Sequence, residues 1–164
     1  DPELTARIDP MPEKQPLRVV ADSRGRVPAS AKLFSTLEMG PVAIATLETM
    51  DLERWPSTKG LQFWMLPAGE GSSSVSLIEM MNSARRAGVT SMMVEGGGQL
   101  AASFVKAGLV DRIEWFRAPI LLGGDGLPCL GGLGLETVAS APTYERVGVK
   151  EVGVDLHESY VRKA

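Results

Sequence analysis

Apolar residues along the chain occur in short continuous runs separated by polar connections that contain glycine or proline. Three of these runs lie in the first half of the chain, at residues 17–22, 41–47 and 61–66. Continuous rather than alternating apolarity is typical of parallel strands that are covered on both faces. The pattern therefore predicts a buried parallel sheet in this half.

Two segments show the spacing of an amphipathic helix. The first follows Ser76, which forms a capping box with Glu79, and Gly88 is its expected C-terminal stop. The second begins in the glycine run at residues 96–98 and is expected to end at Gly108. The sequence thus predicts a helix after the third strand and another after the glycine run.

The remaining strands are predicted in the second half. A short apolar run at residues 90–94 leads into the glycines, and residues 112–124 form another run that ends in proline and glycines. Apolar and polar residues alternate on both sides of residues 152–154, as in a half-exposed antiparallel hairpin. With no domain boundary evident, residues 1–164 are predicted to form one α/β domain with a mostly parallel sheet, flanking helices and a C-terminal hairpin.

Composition narrows the classes of partner. The 164 residues carry a net charge of −3 without a basic block, so no nucleic-acid surface is expected. No apolar run approaches the ~20 residues of a membrane span. A lone cysteine, Cys129, and a lone histidine, His157, leave too few ligands for the usual zinc site. A single cysteine also cannot form an intramolecular disulfide, which favours a reducing cytoplasm. Cys129 is interpreted as a small buried hydrophobe and His157 as structural.

The glycine run is the most informative candidate site. It lies where a strand is predicted to end and a helix to begin, so backbone N–H groups there are suited to a phosphate. Gly96, Gly98 and Ala101 match a dinucleotide-binding spacing, but Glu114 lies inside the next strand rather than at its end. In the alternative interpretation, the glycines permit a tight turn and bind no ligand. Glu95 stands at the predicted strand end, as a ligand-binding carboxylate or as a solvated or capping one.

A second candidate follows the first strand. Ser23, Arg24 and Arg26 offer a hydroxyl and two guanidinium groups, which suit the 2′-phosphate of a phosphorylated dinucleotide. They also fit ordinary solvated loop charges. Arg7, in the leading segment beside Leu4, is suited to a substrate phosphate only in a wider context.

Several segments together resemble one known family. They are DPELTAR at the start, LRVVADSRGRVP, VEGGGQLAASFVKAGLVDRIEWFRAPILLGG, and the closing hairpin. The chain is similar to the reductase domain of the riboflavin-biosynthesis deaminase/reductase, a member of the dihydrofolate-reductase-like superfamily. The resemblance implies a dihydrofolate-reductase-like fold and the NADPH-dependent reduction of the ribose of a 5-amino-6-(5-phosphoribosylamino)pyrimidine to a ribityl group.

The resemblance also implies roles for individual residues. Leu4, Arg7 and Glu95 match substrate-binding positions, with Arg7 facing the substrate phosphate, and Asp1 matches the second aspartate of the family's Asp-Asp-Pro motif. Ser23 matches a position that contacts NADPH. The stretch expected to hold the cofactor phosphates is Gly97, Gly98, Gln99, Leu100, Ala101, Ala102 and Ser103.

The family context brings further expectations. The family's domain starts earlier, with a strand and a helix that this sequence lacks. A homodimer is expected. Whether the parent protein also carries an upstream zinc deaminase domain or is a reductase alone stays open. Whether the substrate is the deaminated or the diamino form stays open. Two alternatives also stay open: a related NADPH reductase acting on a pterin or folate, and a non-catalytic nucleotide-binding module.

Overall fold

A computed structural model describes residues 2–10 and 15–163, so the predicted role of Asp1 lies outside the described residues. The chain divides into two compact units, Asp1–Met92 and Met93–Ala164. Among the described residues, no helix is long and apolar enough to cross a bilayer. The prediction of a single domain stays a prediction.

The first unit is built on a parallel sheet of three strands. These are β1 (Arg18–Ala21), β2 (Val42–Leu47) and β3 (Leu61–Leu66), in the order β1-β2-β3. A short helix α1 (Lys32–Ser35) lies between β1 and β2, and α2 (Leu77–Arg86) follows β3. The three apolar runs therefore form the predicted buried strands.

The core of this unit lies on the central strand. Residues 42–45 of β2 have no exposed surface, because β2 is paired on both sides and covered on both faces. Val42 and Ile44 point to one face and pack with Leu33 and Trp55. Leu4 of the leading segment packs against the same cluster, so the arm before β1 is part of the folded unit.

Local signals in the sequence set the ends of the helices. The hydroxyl of Ser76 accepts a hydrogen bond from the backbone N–H of Glu79 at 3.3 Å, which caps α2. Gly88 and Gly108 follow the two long helices with φ of +82° and +66°, a conformation that disfavours residues with a Cβ. The predicted Ser76 cap and both predicted stops are confirmed. The second half of the predicted capping box is not formed, because the backbone N–H of Ser76 donates to the carbonyl of Pro67 instead of to Glu79.

The second unit contains α3 (Gly98–Lys106) and an antiparallel sheet. Its strands are β4 (Arg112–Arg117), β5 (Tyr144–Val152) and β6 (Asp155–Arg162), in the order β4-β6-β5. β5 and β6 are joined by a two-residue turn in which Gly153 has a φ of +63°. The predicted C-terminal hairpin is confirmed, and β4 extends it to three strands.

The predicted strand at residues 90–94 is the main difference from expectation. This segment has no strand pairing and connects the two units, with Met93 79% exposed. An apolar extended segment becomes a strand only when a neighbouring strand supplies hydrogen-bond partners along its length. The apolar residues of a segment indicate that it tends to be buried, but they do not indicate whether a neighbouring strand is present to pair with it.

One face of the antiparallel sheet carries a polar cluster centred on Glu114. Its carboxylate accepts hydrogen bonds from Ser159 Oγ at 2.6 Å and from Arg112, and it lies 2.6 Å from His157 Nε2. The hydrogen bond from Ser159, followed by those from Arg112 and His157, lowers the pKa of Glu114 to about 2. His157 stacks on Phe116, with ring centroids 4.4 Å apart. His157 thus has structural partners in β4.

We expect Glu114→Gln to remove an acid-sensitive part of the stability. A carboxylate with a pKa lower in the folded than in the unfolded state stabilises fully above its unfolded pKa, and it loses that effect as the pH falls through the folded value. For Glu114 this window runs from about pH 4.5 to about pH 2. Urea unfolding at several pH values should show a shallower loss of stability in the variant across that window.

The matched control is Glu145→Gln, which removes an exposed carboxylate from β5 of the same sheet. It should leave the wild-type pH dependence in place. Identical pH profiles for wild type and Glu114→Gln would contradict the assigned role of the cluster.

Candidate functional site

The loop after β1 is held in a fixed shape by a buried carboxylate. Asp22 accepts hydrogen bonds from the backbone N–H of Arg26 at 2.9 Å and of Val27 at 2.7 Å. Gly25 at the tip of the loop has a φ of +60°. Both oxygens of the Asp22 carboxylate thus bind backbone N–H groups of the loop, while the side chains of Arg24 and Arg26 are exposed.

Ser23 in the same loop has a defined partner. Its Oγ accepts a hydrogen bond of 2.9 Å from the backbone N–H of Val75, which lies just before α2. A hydroxyl that accepts one hydrogen bond keeps its own proton to donate. Ser23 therefore links two loops of the first unit and still has a donor for a ligand oxygen.

A third arginine lies at this loop, one that the sequence analysis missed. The guanidinium of Arg54 covers Gly25, where a Cβ would lie 2.7 Å from Arg54 Cζ. The neighbouring Trp55 donates its indole N–H to the carbonyl of Val27 at 3.0 Å, which fastens this segment to the loop. Arg54 also lies 5.6 Å from the centre of the Trp55 ring.

The topology explains this convergence. Because β1 and β2 are parallel neighbours, the loops that follow them lie at the same edge of the sheet, where ligands of α/β proteins bind. Among the described residues, Arg24, Arg26 and Arg54 have no ion pair within 4.0 Å. Asp51 and Glu53 lie beside Arg54 in sequence, but Asp51 accepts a hydrogen bond from the N–H of Glu53 and caps its own turn. The loop therefore offers three guanidinium groups to an anion.

The arm that carries Leu4 and Arg7 is also in the first unit. Leu4 has a φ of +55°, which is rare for a residue with a branched side chain, and it packs against the core. Arg7 is exposed. The structure therefore partly buries the apolar member of the predicted substrate pair, Leu4, and leaves the cationic member, Arg7, open to solvent.

In the second unit, Glu95 and the glycines lie at the start of α3. Gly97 is the N-cap residue, no side chain caps the helix, and its first turn contains no acidic residue. A Cβ at Gly97 would have no atom within 4 Å among the described residues. Glu95 is exposed and has no hydrogen bond or ion pair to another described residue. The positive end of α3 is thus open to an incoming anion.

Gly98 has a different role from Gly97. A Cβ at Gly98 would lie 2.5 Å from the carbonyl oxygen of Pro128 and 3.1 Å from the backbone nitrogen of Gly131, whose N–H donates to Gly98 O at 2.8 Å. This glycine permits close packing of a loop on α3. Cys129 belongs to that loop and is exposed, so its interpretation as a buried hydrophobe was wrong: the loop contacts α3 through its backbone instead.

The rest of the predicted cofactor stretch lies within α3. Gln99 is exposed and Leu100 and Ala101 are half-buried, whereas Ala102 is only 2% exposed. Ser103 donates its hydroxyl to the carbonyl of Gln99 within the helix. The exposed members of the stretch are therefore Gly97 and Gln99 at its N-terminal end and Ser103 at its last position.

The predicted site residues thus fall into two groups. Leu4, Arg7 and Ser23 belong to the first unit, and Glu95 and residues 97–103 belong to the second. In the first unit an arginine-rich loop lies at the carboxyl edge of a parallel sheet. In the second unit an uncapped glycine-rich helix start directly follows Glu95. Both are features that bind phosphate groups in other proteins.

Comparisons with known proteins identify one family. The model of the RibD C-terminal domain family matches residues 1–157. The riboflavin biosynthesis protein RibD of Aquifex aeolicus is 33% identical over 156 residues, which are 95% of this chain and 41% of that protein. A 2,5-diamino-6-ribosylamino-4(3H)-pyrimidinone 5′-phosphate reductase of Methanothermobacter thermautotrophicus is 30% identical over 165 residues, 99% of this chain and 74% of that protein.

A solved structure shows the fold. The diaminohydroxyphosphoribosylaminopyrimidine deaminase/5-amino-6-(5-phosphoribosylamino)uracil reductase of Thermotoga maritima superposes with a TM-score of 0.77 at 20% identity, over 99% of this chain and 41% of that one. The predicted dihydrofolate-reductase-like mixed α/β fold is confirmed. The chain spans less than half the length of the RibD relatives that it matches. With the family model covering nearly the whole chain, this protein belongs to the RibD C-terminal domain family.

Proposed function

We propose that this chain is the reductase part of a riboflavin-biosynthesis enzyme, which uses NADPH to reduce the ribose of a phosphoribosylaminopyrimidine to the open-chain ribityl group. The family match over residues 1–157 carries the proposal. The names of the relatives support it, since they include a reductase of a ribosylaminopyrimidinone 5′-phosphate. The deaminated and the diamino pyrimidine are both within this substrate class.

Each unit, taken by itself, presents a feature suited to one of the phosphate groups of a phosphorylated dinucleotide. The start of α3 has an open N-cap glycine and no acidic residue in its first turn, so it suits the diphosphate. The loop after β1 presents the Ser23 hydroxyl together with Arg24, Arg26 and Arg54, which suit the additional 2′-phosphate of NADPH. The preference for NADPH over NADH rests on this loop.

In this proposal the protein acts mainly by positioning. NADPH, when bound, supplies the hydride that reduces the sugar C1′. Glu95 binds the ribose hydroxyls, because its carboxylate is an acceptor with no competing partner among the described residues. Arg7 binds the substrate phosphate through its exposed guanidinium. Arg7 and Glu95 belong to different units, and each is assigned separately to its own part of the substrate.

Glu95→Gln tests the assignment at the reacting sugar. The amide keeps the shape of the carboxylate but loses its charge and replaces one acceptor with a donor, so we expect kcat/KM to fall about 10- to 100-fold. The melting temperature should stay unchanged because Glu95 is exposed. The assay is NADPH oxidation with the phosphoribosylaminopyrimidine, and unchanged kinetics would place the sugar elsewhere.

We also propose that the protein is a homodimer. If the parent protein is bifunctional, like the RibD relatives, it also contains a deaminase domain. Strand β5 is the edge of its sheet, and Val147 and Val149 on it are each more than half exposed. Exposed apolar edges favour association. The mass of the full-length protein in solution, measured by light scattering, tests this: a monomer at micromolar concentration would contradict it.

A further inference from the structure

The arm at residues 3–7 is held on the first unit by two side chains that the sequence analysis did not single out. Gln15 pairs with the backbone of Ala6 in both directions: its Oε1 accepts from Ala6 N–H at 2.7 Å, and its Nε2 donates to Ala6 O at 3.0 Å. The side-chain amide thereby imitates a neighbouring strand. Ala6 directly precedes Arg7, so this contact fixes the backbone next to the exposed guanidinium.

Arg18 holds the other end of the arm. Its guanidinium donates to the carbonyl of Glu3 at 3.0 Å, to Thr36 Oγ1 at 2.7 Å and O at 2.8 Å, and to Gly40 O at 2.5 Å. Arg18 is 2% exposed and none of these acceptors is a carboxylate. A buried cation with only neutral partners is costly. Burial lowers the pKa of Arg18, and the charges of Glu38 and Glu3 oppose that shift.

The conformation that these contacts hold has further costs. Leu4, between the two contacts, has a φ of +55°. Thr5 Oγ1 and Arg18 Nε are buried and have no hydrogen-bond partner among the described residues. A strained backbone and unpaired polar atoms persist where surrounding contacts over-determine them, and such strain is concentrated at ligand-binding segments. The contacts therefore hold the arm in one specific conformation, at a cost in free energy.

We propose that Gln15 and Arg18 are positioning residues that hold the arm so that Arg7 points at the substrate phosphate. The inference rests on the proposed function, since it takes Arg7 as the phosphate-binding residue. It adds that the geometry of Arg7 is set by Gln15 through the backbone of Ala6, and by Arg18 through that of Glu3. Neither positioning residue contacts the substrate.

Gln15→Ala is the sharper test because it keeps the Cβ that packs against Gly40 and removes only the amide. In the full-length protein we expect KM for the phosphorylated substrate to rise about tenfold, while kcat and KM for NADPH change less than about twofold. Gln62→Ala is the control, since Gln62 is an exposed amide on β3. It should leave all three constants unchanged.

A double-mutant cycle separates positioning from a general structural effect. In an Arg7→Met background the phosphate contact is already lost, so adding Gln15→Ala should raise KM by less than about twofold. The substrate without its 5′-phosphate should likewise show no difference between Gln15→Ala and wild type. A tenfold effect that persists in the Arg7→Met background or with the dephosphorylated substrate would overturn the proposal, as would no effect in the single variant.

Arg18→Lys, provided that the variant folds, is a second test of the same proposal. Lysine keeps the charge but cannot make four hydrogen bonds in a plane, so the variant should show the same rise in KM and the same non-additivity with Arg7→Met.

If wild type does not turn over the sugar phosphate, the proposed function fails by itself. Binding of ribose 5-phosphate, measured by calorimetry, then decides the positioning claim: binding lost in both Arg7→Met and Gln15→Ala supports it, and any other pattern overturns it.

Discussion

We expect the replacement of Gly97 with aspartate to weaken NADPH binding strongly while the protein keeps its stability. Gly97 is the N-cap of α3, no side chain caps this helix, and a Cβ there would meet no described atom within 4 Å. Aspartate is a preferred N-cap residue, so the change should leave the free energy of unfolding unchanged or raise it by a few tenths of a kcal/mol. Its carboxylate would occupy the N–H groups of the first turn and repel the diphosphate.

We expect the dissociation constant for NADPH, measured by fluorescence titration, to rise about 100-fold or more, since a hydrogen-bonded anion site is replaced by a like charge. Thr137→Asp is the matched control: it adds the same charge at another exposed N-cap position of the second unit. Wild-type affinity in Gly97→Asp would show that the cofactor phosphates do not bind at the start of α3.

For Gly98→Ala we expect the opposite result, a loss of stability. The added methyl group would overlap the backbone of Pro128 and Gly131, neither of which can move without shifting the loop. Overpacking of this kind costs about 1–3 kcal/mol of stability. Adjacent glycines in one motif thus separate the requirements of binding from those of packing: Gly97 keeps the helix start open, and Gly98 lets a loop approach it.

Removing two of the three arginines at this edge of the sheet, Arg24 in the loop after β1 and Arg54 in the segment after β2, should change the choice of cofactor. In the double variant Arg24→Ser/Arg54→Ser we expect kcat/KM with NADPH to fall about 100-fold, because each guanidinium contributes roughly 1.5–3 kcal/mol to a charge-assisted contact with phosphate. Activity with NADH, which has no 2′-phosphate, should change less than about threefold. The measurement is the ratio of kcat/KM values for the two cofactors.

Arg85→Ser is the control for this prediction, since it removes an exposed positive charge at the end of α2 in the same unit. It should leave the ratio unchanged. Equal losses with NADPH and NADH in the double variant would show that the loop contributes structure or general attraction rather than recognition of the 2′-phosphate.

Local patterns were sufficient to predict most elements of the fold. The continuous apolar runs, the Ser76 cap and the glycines after both long helices each encode their conformation within a few residues, and each is found as expected. The segment at residues 90–94 was not predicted correctly, because its apolar character shows a tendency to be buried without supplying a strand partner.

The same distinction applies to the candidate site. Ser23 and Gly97 were predicted because one follows the end of β1 and the other caps α3. Glu95 was predicted because it directly precedes the glycine run, although the strand expected before it is not formed. Arg54 was missed because it reaches Gly25 only through the pairing of β1 with β2. Gln15 was missed because its partner, Ala6, is set by the path of the arm over the core. Contacts between elements depend on packing, and no local spacing indicates them.

The most direct test of the central claim is NADPH oxidation by the full-length protein supplied with the phosphoribosylaminopyrimidine, with dihydrofolate and NADH as parallel controls. We predict turnover of the sugar phosphate with NADPH, slower turnover with NADH, and none with dihydrofolate. Oxidation with dihydrofolate instead would make the protein a pterin or folate reductase. Binding of NADPH without oxidation in the presence of any of these substrates would contradict the reductase assignment and favour a non-catalytic nucleotide-binding module.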